Sequence, residues 1–474
     1  MIMNKSRKGT SFGFALVNIF ILAVVLIVGL AYFKFSVISV FLIAIFSIVL
    51  LAKFNGFPLS EIQEYLICGT KKSVLIILIL MSVGMIIGTW VVSGIVPAII
   101  YYGLNILSPT YFLITGFIIC CIVTYFTGSS YATIGTLGIA FIGIGYGMGI
   151  PAPIIAGMVI SGALFGDKMT PFSDTTNLAS GVAGVNIFKH IHSMLYTTIP
   201  AVFISGVLYW LLGLKYSGDY ESGKTELITD TLMEHFTINP VLLLVPMLTI
   251  FLIIKKLPPV IALNIGSIAA VLTAFIFQPS FGADVILNSL TDGFAYQTGV
   301  DEIDKLLQRG GISGMFTVIT LVILVFSLSE ILQRTGIISV ILGKMGSFVD
   351  TQAKLIITTI FSCFFTNMLS ASQYVAIMIP GEMFRPAYEK LNISKRVLSR
   401  TLEDAGTITT FIIPWSSGAI FASGVLGVAT LEYLPYAFFA ILSPLVAAIY
   451  AVTGFAIFKE SEEEVKNNKD MVSF

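Results

Sequence analysis

The chain has 474 residues, of which 56% are hydrophobic and 11% charged, and its mean hydropathy is +0.96. A water-soluble protein of this length needs a hydrated surface that 26 basic and 26 acidic residues cannot supply, and the balanced charge leaves no electrostatic footprint for nucleic acid or an acidic partner. The composition excludes a soluble globular domain and implies an all-α polytopic membrane protein with the lipid bilayer as its main partner.

In chain order, Lys5, Arg7 and Lys8 precede a first apolar block, Phe12 to Phe33. That block is longer than a leader's apolar core, lacks a small-x-small cleavage site and is followed by further blocks, so it is predicted as an uncleaved span. Helices of roughly 17–25 apolar residues cross about 30 Å of hydrocarbon, and only helices or closed barrels satisfy their backbone in lipid. Val37 to Ala52, Val74 to Val96, Leu195 to Leu214, Val241 to Ile254 and Tyr433 to Phe458 are predicted as helices on this basis, some a little short. Polar interruptions fall at TGSS (127–130), at 166–177, at SASQ (370–373) and at 403–417. Two longer external loops are predicted near 215–237 and 279–311, the second partly helical, and Glu460 to Asp470 form a solvated acidic tail. Cys68, Cys120, Cys121 and Cys363 have no metal-type spacing and read as packing residues. His190, His192 and His235 are expected at interfacial span ends, and Glu330 with Arg334 as a structural i,i+4 pair.

Alternating the spans from a cytoplasmic N-terminus puts Lys53, Lys71, Lys72, Lys255, Lys256, Arg385, Lys390, Lys395, Arg396 and Arg400 on the cytoplasmic side. The opposite side holds Lys34, Lys215, Lys224, Lys305 and Arg309. The positive-inside rule favours this orientation. Both termini are therefore expected in the cytoplasm of a cell whose inner, plasma membrane holds the chain.

Sliding the sequence against itself by 243 residues aligns PFSDTTNLASGVAGV (171–185) with PWSSGAIFASGVLGV (414–428), identical at eight of 15 positions. The same offset pairs Tyr131 with Tyr374, each just after a polar break, and an offset of 242 pairs Gly94-Ile95 with Gly336-Ile337. One repeat spans 73–188 and the other 312–430. They are flanked by N-terminal helices (1–72), a linking region of helices and external loops (189–311), and a last helix with its tail (431–474). In the charge-derived orientation one repeat begins inside and the other outside, so two inverted-topology repeats with helical hairpins and broken transmembrane helices are expected.

TGSS and SASQ read as hairpin tips. Pro171 and Pro414 remove backbone donors and clash with the preceding turn, so helices are expected to break beside them. An unwound stretch offers carbonyls to a cation, and the next half-helix offers its N-terminus to an anion. A mid-membrane carboxylate costs about 2.5–3.5 kcal/mol on insertion scales, so Asp167, Asp174, Glu403 and Asp404 need a reason to be there. Carboxylates with hydroxyl and amide oxygens form a hard site suited to Na⁺, and desolvation favours a carboxylate's protonated form. One site could then hold either Na⁺ or H⁺. The first break supplies Asp167, Thr170, Ser173, Asp174, Thr175 and Asn177; the tips supply Ser129, Ser130, Ser370 and Ser372; the second break supplies Glu403, Asp404, Thr407, Ser416 and Ser417. Asp174 and Thr175 are the expected Na⁺ ligands, with Asp174 also placed to cap the half-helix, and Asp167 beside Lys168 could form a local ion pair.

GDKMTPFSDTTNLA (166–179) resembles the NhaC-type Na⁺/H⁺ antiporters, as do ASQYVAIMIPGEMF (371–384), RTLEDAGTITTFIIPW (400–415), TGSSYATIGTLG (127–138) and GTWVVSGIVPAIIYYG (88–103). The resemblance covers about 75–458 and implies Na⁺/H⁺ antiport or, as in some relatives, ion-coupled exchange of organic substrates such as malate for lactate. It also implies an inverted-repeat fold of the ion-transporter group that moves like an elevator, with Asp167, Asp174, Thr175, Asn177, Glu403 and Asp404 as the matching polar residues. Ser416-Ser417 stand where the family usually has Asn and then Thr or a small residue, and Tyr131 where Trp is commoner.

The leading expectation is Na⁺/H⁺ exchange, and the alternative is a Na⁺- or H⁺-coupled transporter or exchanger of a small organic acid or amino acid. An intramembrane enzyme is disfavoured, because Asp167 lacks the Gly-x-Gly-Asp element and no His-Glu-x-x-His or phosphate-binding glycine loop occurs. No cofactor is expected beyond the transported Na⁺ and H⁺, and a homodimer is one assembly that the sequence leaves open.

Overall fold

The apolar blocks become helices whose ends are set by hydroxyl caps, prolines and left-handed residues. Ser11 Oγ, for example, accepts the Phe14 N–H at 3.2 Å, Pro109 and Pro259 open their helices, and Gly94 (φ 79°) turns the chain between two others. The structure is a computed structural model that describes residues 10–216, 222–300, 303–304, 307–308, 310–346 and 349–459. Lys5, Arg7, Lys8, Lys305, Arg309 and the predicted acidic tail lie outside the described residues.

Among the described residues the helices run α1 (Phe12–Ile27), α2 (Val37–Phe54), α3 (Leu59–Val92), α4 (Ile95–Ile106), α5 (Pro109–Thr127), α6 (Ser130–Thr133), α7 (Ile139–Gly147), α8 (Ala152–Met169) and α9 (Asp174–Ala183). They continue as α10 (Ile187–Tyr216), α11 (Ser222–His235), α12 (Leu244–Ile254), α13 (Pro259–Phe277), α14 (Ala283–Asn288), α15 (Gly311–Gly314), α16 (Phe316–Arg334), α17 (Ile337–Gly346) and α18 (Gln352–Ser370). The last are α19 (Gln373–Lys390), α20 (Lys395–Leu402), α21 (Ser417–Leu426), α22 (Thr430–Tyr433) and α23 (Phe438–Thr453). Nine of these helical runs are long and apolar enough to cross a membrane, or up to 11 if each of two sharply bent pairs is one span. The chain is a multi-pass, all-helical membrane protein.

The 243-residue offset also relates local geometry. Gly128 (φ 71°) and Ala371 (φ 51°) end the first hairpin arms, Ser173 and Ser416 occupy the N-cap positions of α9 and α21, and Gly184 (φ 71°) and Gly427 (φ 69°) close those half-helices. At the shift of 242, Gly94 and Gly336 are both left-handed, at φ 79° and 78°.

Three expectations change. Lys71 and Lys72 lie inside α3, which starts at Leu59, and Lys72 Nζ meets Glu330 at 2.5 Å while Arg334 Nε meets the same carboxylate at 2.7 Å. The expected Glu330–Arg334 pair is thus part of a triad joining α3 to α16. The polar stretch expected as a loop near 215–237 contains helix α11. His190 lies in the first turn of α10, at a span end as expected, but is buried within the protein, with its Nδ1 2.8 Å from Ser399 Oγ, because α10 and α20 pack against each other there.

The segment carrying α14 and α15 is seated on α3 through glycines. A Cβ on Gly84 would lie 2.5 Å from the Gly311 carbonyl oxygen, and one on Gly88 would run into the Ser289 carbonyl oxygen. Neither backbone can yield cheaply, so Gly88→Val is expected to cost at least about 1–3 kcal/mol. It should lower the melting temperature in detergent, whereas Gly181→Ala, where an added Cβ has open space, should leave it unchanged or raised.

Candidate functional site

The first break is made by Pro171. Helix α8 ends at Met169, a turn follows, and α9 starts at Asp174. Asn177 holds the turn from below, donating to the carbonyls of Pro171 at 2.9 Å and Ser173 at 2.6 Å. The second break is longer. Helix α20 passes into a π-helical turn (Glu403–Thr407), a 3₁₀ turn (Ile408–Phe411) and an irregular stretch through Pro414 before α21. Asn367 of α18 supports this unwinding, donating to the Gly406 carbonyl at 2.5 Å and to Thr409 Oγ1 at 2.9 Å. π turns are commonly found at functional positions.

The two breaks meet, and the donors of one satisfy the carboxylates of the other. Glu403, fully buried, accepts from Thr175 Oγ1 at 2.9 Å on one oxygen and from Thr407 Oγ1 at 2.8 Å on the other. Thr176 has one hydroxyl proton facing three acceptors: the carbonyls of Asp167 (3.3 Å) and Lys168 (3.2 Å) and Glu403 Oε1 (3.5 Å). Asp167 is held by the first hairpin tip, where both the Ser130 N–H (3.2 Å) and Oγ (2.6 Å) donate to its Oδ2. Its Oδ1 is buried without a partner among the described residues. Lys168, fully buried, pairs with Asp404 and donates to Ser443 Oγ at 2.9 Å. The possible Asp167–Lys168 pair is therefore not made, because the ammonium is drawn across to the second break.

The hairpin tips cross over. The Tyr131 hydroxyl donates to Ser417 Oγ at 3.4 Å, and the Tyr374 hydroxyl donates to Asp174 Oδ2. The offset of 243 relates both members of one bond to both members of the other. Asp174 is exposed, at the mouth of the cluster, and its other oxygen accepts the Thr175 N–H at 2.9 Å.

Of the predicted residues, the structure gathers Ser130, Asp167, Ser173, Thr175, Glu403 and Thr407 into one network, Ser173 through its contact with Thr175 Oγ1 at 3.0 Å. Asp404 joins Lys168 beside it. The proposed Na⁺ ligands Asp174 and Thr175 face different partners, Tyr374 and Glu403. Thr170 accepts the Phe172 N–H at 3.4 Å, and Ser129 caps the Ala132 N–H at 3.3 Å. Ser370 and Ser372 bond to each other within their tip. Ser416 pairs with Thr410 at 2.7 Å, and the Ser417 N–H donates to the Ala371 carbonyl at 2.9 Å. Sequence reasoning missed Thr176, Thr197, Tyr374, Asn367 and Ser443 as site residues. Tyr374 carried a signal in its pairing with Tyr131, whereas Thr197 and Ser443 are lone hydroxyls in apolar blocks and carried none.

A family model described as the Na⁺/H⁺ antiporter family matches residues 162–455, a stretch that includes both breaks. This chain belongs to that family. The Na⁺/H⁺ antiporter NhaC of Alkalihalophilus pseudofirmus is 36% identical over 455 residues, covering 96% of this chain and 98% of the relative. The malate-2H⁺/Na⁺-lactate antiporter of Bacillus subtilis is 35% identical over 415 residues, 87% of this chain and 88% of the relative. The arginine/ornithine antiporter ArcD of Halobacterium salinarum is 38% identical over 391 residues, 82% and 80% of the two chains. In this member of the antiporter family the two helix breaks are therefore joined by side chains, not merely adjacent.

Thr175→Val keeps the shape of the side chain but removes the donor to a buried carboxylate oxygen, a loss of about 1–3 kcal/mol. A lowered melting temperature of the purified protein is the expected result, with a smaller drop for Thr170→Val, whose hydroxyl makes only a long contact with the Phe172 N–H two residues on and serves no carboxylate.

Proposed function

We propose that this chain exchanges Na⁺ for H⁺ across the cytoplasmic membrane, at the junction of its two broken helices. The observation that carries the reading is a pair of buried carboxylates, Asp167 and Glu403, held by hydroxyl and backbone donors and by no basic side chain among the described residues. A buried charge without a counter-charge is costly, so the pair is stable when it holds a cation or a proton. A Na⁺ held there needs hard oxygens, which the unpartnered Asp167 Oδ1, Glu403 and the Thr175 and Thr176 hydroxyls supply. When Na⁺ leaves, protonation of the carboxylates restores neutrality. Binding of the two cations is thereby mutually exclusive, which is the chemical requirement of antiport.

The reading includes two inverted repeats that give mirror-related access states, with Asp174 at the mouth drawing cations toward the buried pair. The matched left-handed turns and reciprocal tyrosine bonds support the repeats, and the surplus of lysine and arginine on one side supports cytoplasmic termini. The relatives are named as antiporters, and transport is the reading they support.

A second reading is exchange of a small organic acid or amino acid coupled to the same ions. It is favoured by the asymmetry of the halves, because Ser416 and Ser417 put neutral hydroxyls at the position where the first half has Ser173 and Asp174. It is favoured too by relatives named for malate, lactate, arginine and ornithine.

Everted vesicles from a host without its own Na⁺/H⁺ antiporters, followed with a pH-sensitive dye, separate the two. Dequenching on Na⁺ alone is expected; a response only when malate, lactate or a basic amino acid is also present would replace the first reading with the second. Asp167→Asn and Glu403→Gln are each expected to abolish the Na⁺ response while the protein still inserts. Normal exchange by both would remove the pair from the mechanism.

A further inference from the structure

The pair made by Lys168 and Asp404 lies beside the carboxylates assigned above to exchange, yet it differs from them in already holding a cation. Lys168 and Asp404 are both fully buried. An ammonium has three N–H donors. One goes to Asp404 Oδ1, one to Ser443 Oγ at 2.9 Å, and the ammonium also faces the ring of Phe439, 5.8 Å from its centroid. Around the same carboxylate oxygen, Thr197 Oγ1 donates at 3.0 Å and Ser443 Oγ lies at 2.9 Å. Asp404 Oδ2 is buried and has no hydrogen-bond partner among the described residues.

These oxygens come from three different elements: the π-helical turn, α10 and α23. A carboxylate with two hydroxyls is the hard set that suits a small monovalent cation. Its present occupant is the end of a side chain reaching over from the first break. Stability alone gives no reason for this arrangement, since apolar replacement of a buried ion pair is often neutral or stabilising.

We propose that Asp404, Thr197 and Ser443 form a second cation site whose resident occupant is the Lys168 ammonium. The tethered cation keeps that site from exchanging and confines transported ions to Asp167 and Glu403. The proposal rests on the exchange reading only for what the first site carries. Lys168 is a positioning and capacity-setting residue here, since it touches the second site and not the transported ion.

The test is equilibrium binding of radioactive Na⁺ to the purified full-length protein, wild type against Lys168→Met and Lys168→Met/Asp404→Asn. Methionine keeps the apolar stem against Phe439 and removes the charge. The expected result is an additional bound Na⁺ per chain for Lys168→Met, returning to the wild-type number when Asp404 is also neutralised. An unchanged number in Lys168→Met would overturn the proposal.

Should Lys168→Met unfold on extraction, the same variant is extracted over a series of Na⁺ and Li⁺ concentrations. Recovery of folded protein at high cation, with no such dependence in the double variant, supports the resident-cation site. Failure at every concentration while the double variant folds marks the pair as purely structural and overturns it. A wild type that binds no Na⁺ would count against the exchange reading instead, and a Na⁺ gained by Lys168→Met would then still support the second site.

Discussion

Glu403 and Asp404 are adjacent carboxylates buried inside the protein, and each has a partner from the other half of the chain: Glu403 in Thr175, Asp404 in Lys168. A buried polar group left without a partner costs free energy, and a buried charge costs more. The two breaks must therefore meet if either is to exist. Much else follows from that meeting. Helix α8 has to end at Met169 so that Thr175 and Thr176 can turn inward, and the π turn has to widen so that neighbouring residues reach different partners. Asn367 is then required to take up the Gly406 carbonyl at the unwound stretch.

The same constraint divides the polar residues into two kinds. Asp404 is closed around a fixed ammonium, with Thr197 and Ser443 completing the set. Asp167 and Glu403 are held by neutral donors, so their charge can be answered by something that comes and goes. Asp174 is a third case: exposed and bonded to Tyr374 of the other half. Family membership, through residues 162–455, places this arrangement among proteins named as antiporters.

The stretches related by the 243-residue offset share local geometry and differ in their contacts. Tyr131 and Tyr374 each reach the first residue of the other half's second half-helix, but one finds Ser417 and the other Asp174. Ser173 and Ser416 occupy matching N-cap positions, yet Ser173 touches Thr175 beside Glu403 while Ser416 pairs with Thr410. The first half's half-helix opens on a carboxylate, Asp174, where the second half's opens on a neutral hydroxyl, Ser417. Stretches of similar sequence thereby make chemically different contacts.

By itself the sequence determined the membrane class, the breaks at Pro171 and Pro414 and three buried carboxylates, Asp167, Glu403 and Asp404. Each of these is local: apolar run length, a proline's missing N–H, a charge inside an apolar block. Only the tertiary structure decided who partners whom. Lys168 is next to Asp167 in sequence and yet pairs with Asp404, because a helical neighbour points away while the second break brings an unsatisfied carboxylate to the ammonium. Thr197 and Ser443 looked like ordinary hydroxyls in apolar helices until folding set them around that carboxylate. His190 read as an interfacial residue for the same reason, since Ser399 lies on another helix. Partnership across more than 200 residues leaves no trace in composition or periodicity, because it depends on which faces the packed helices turn toward one another.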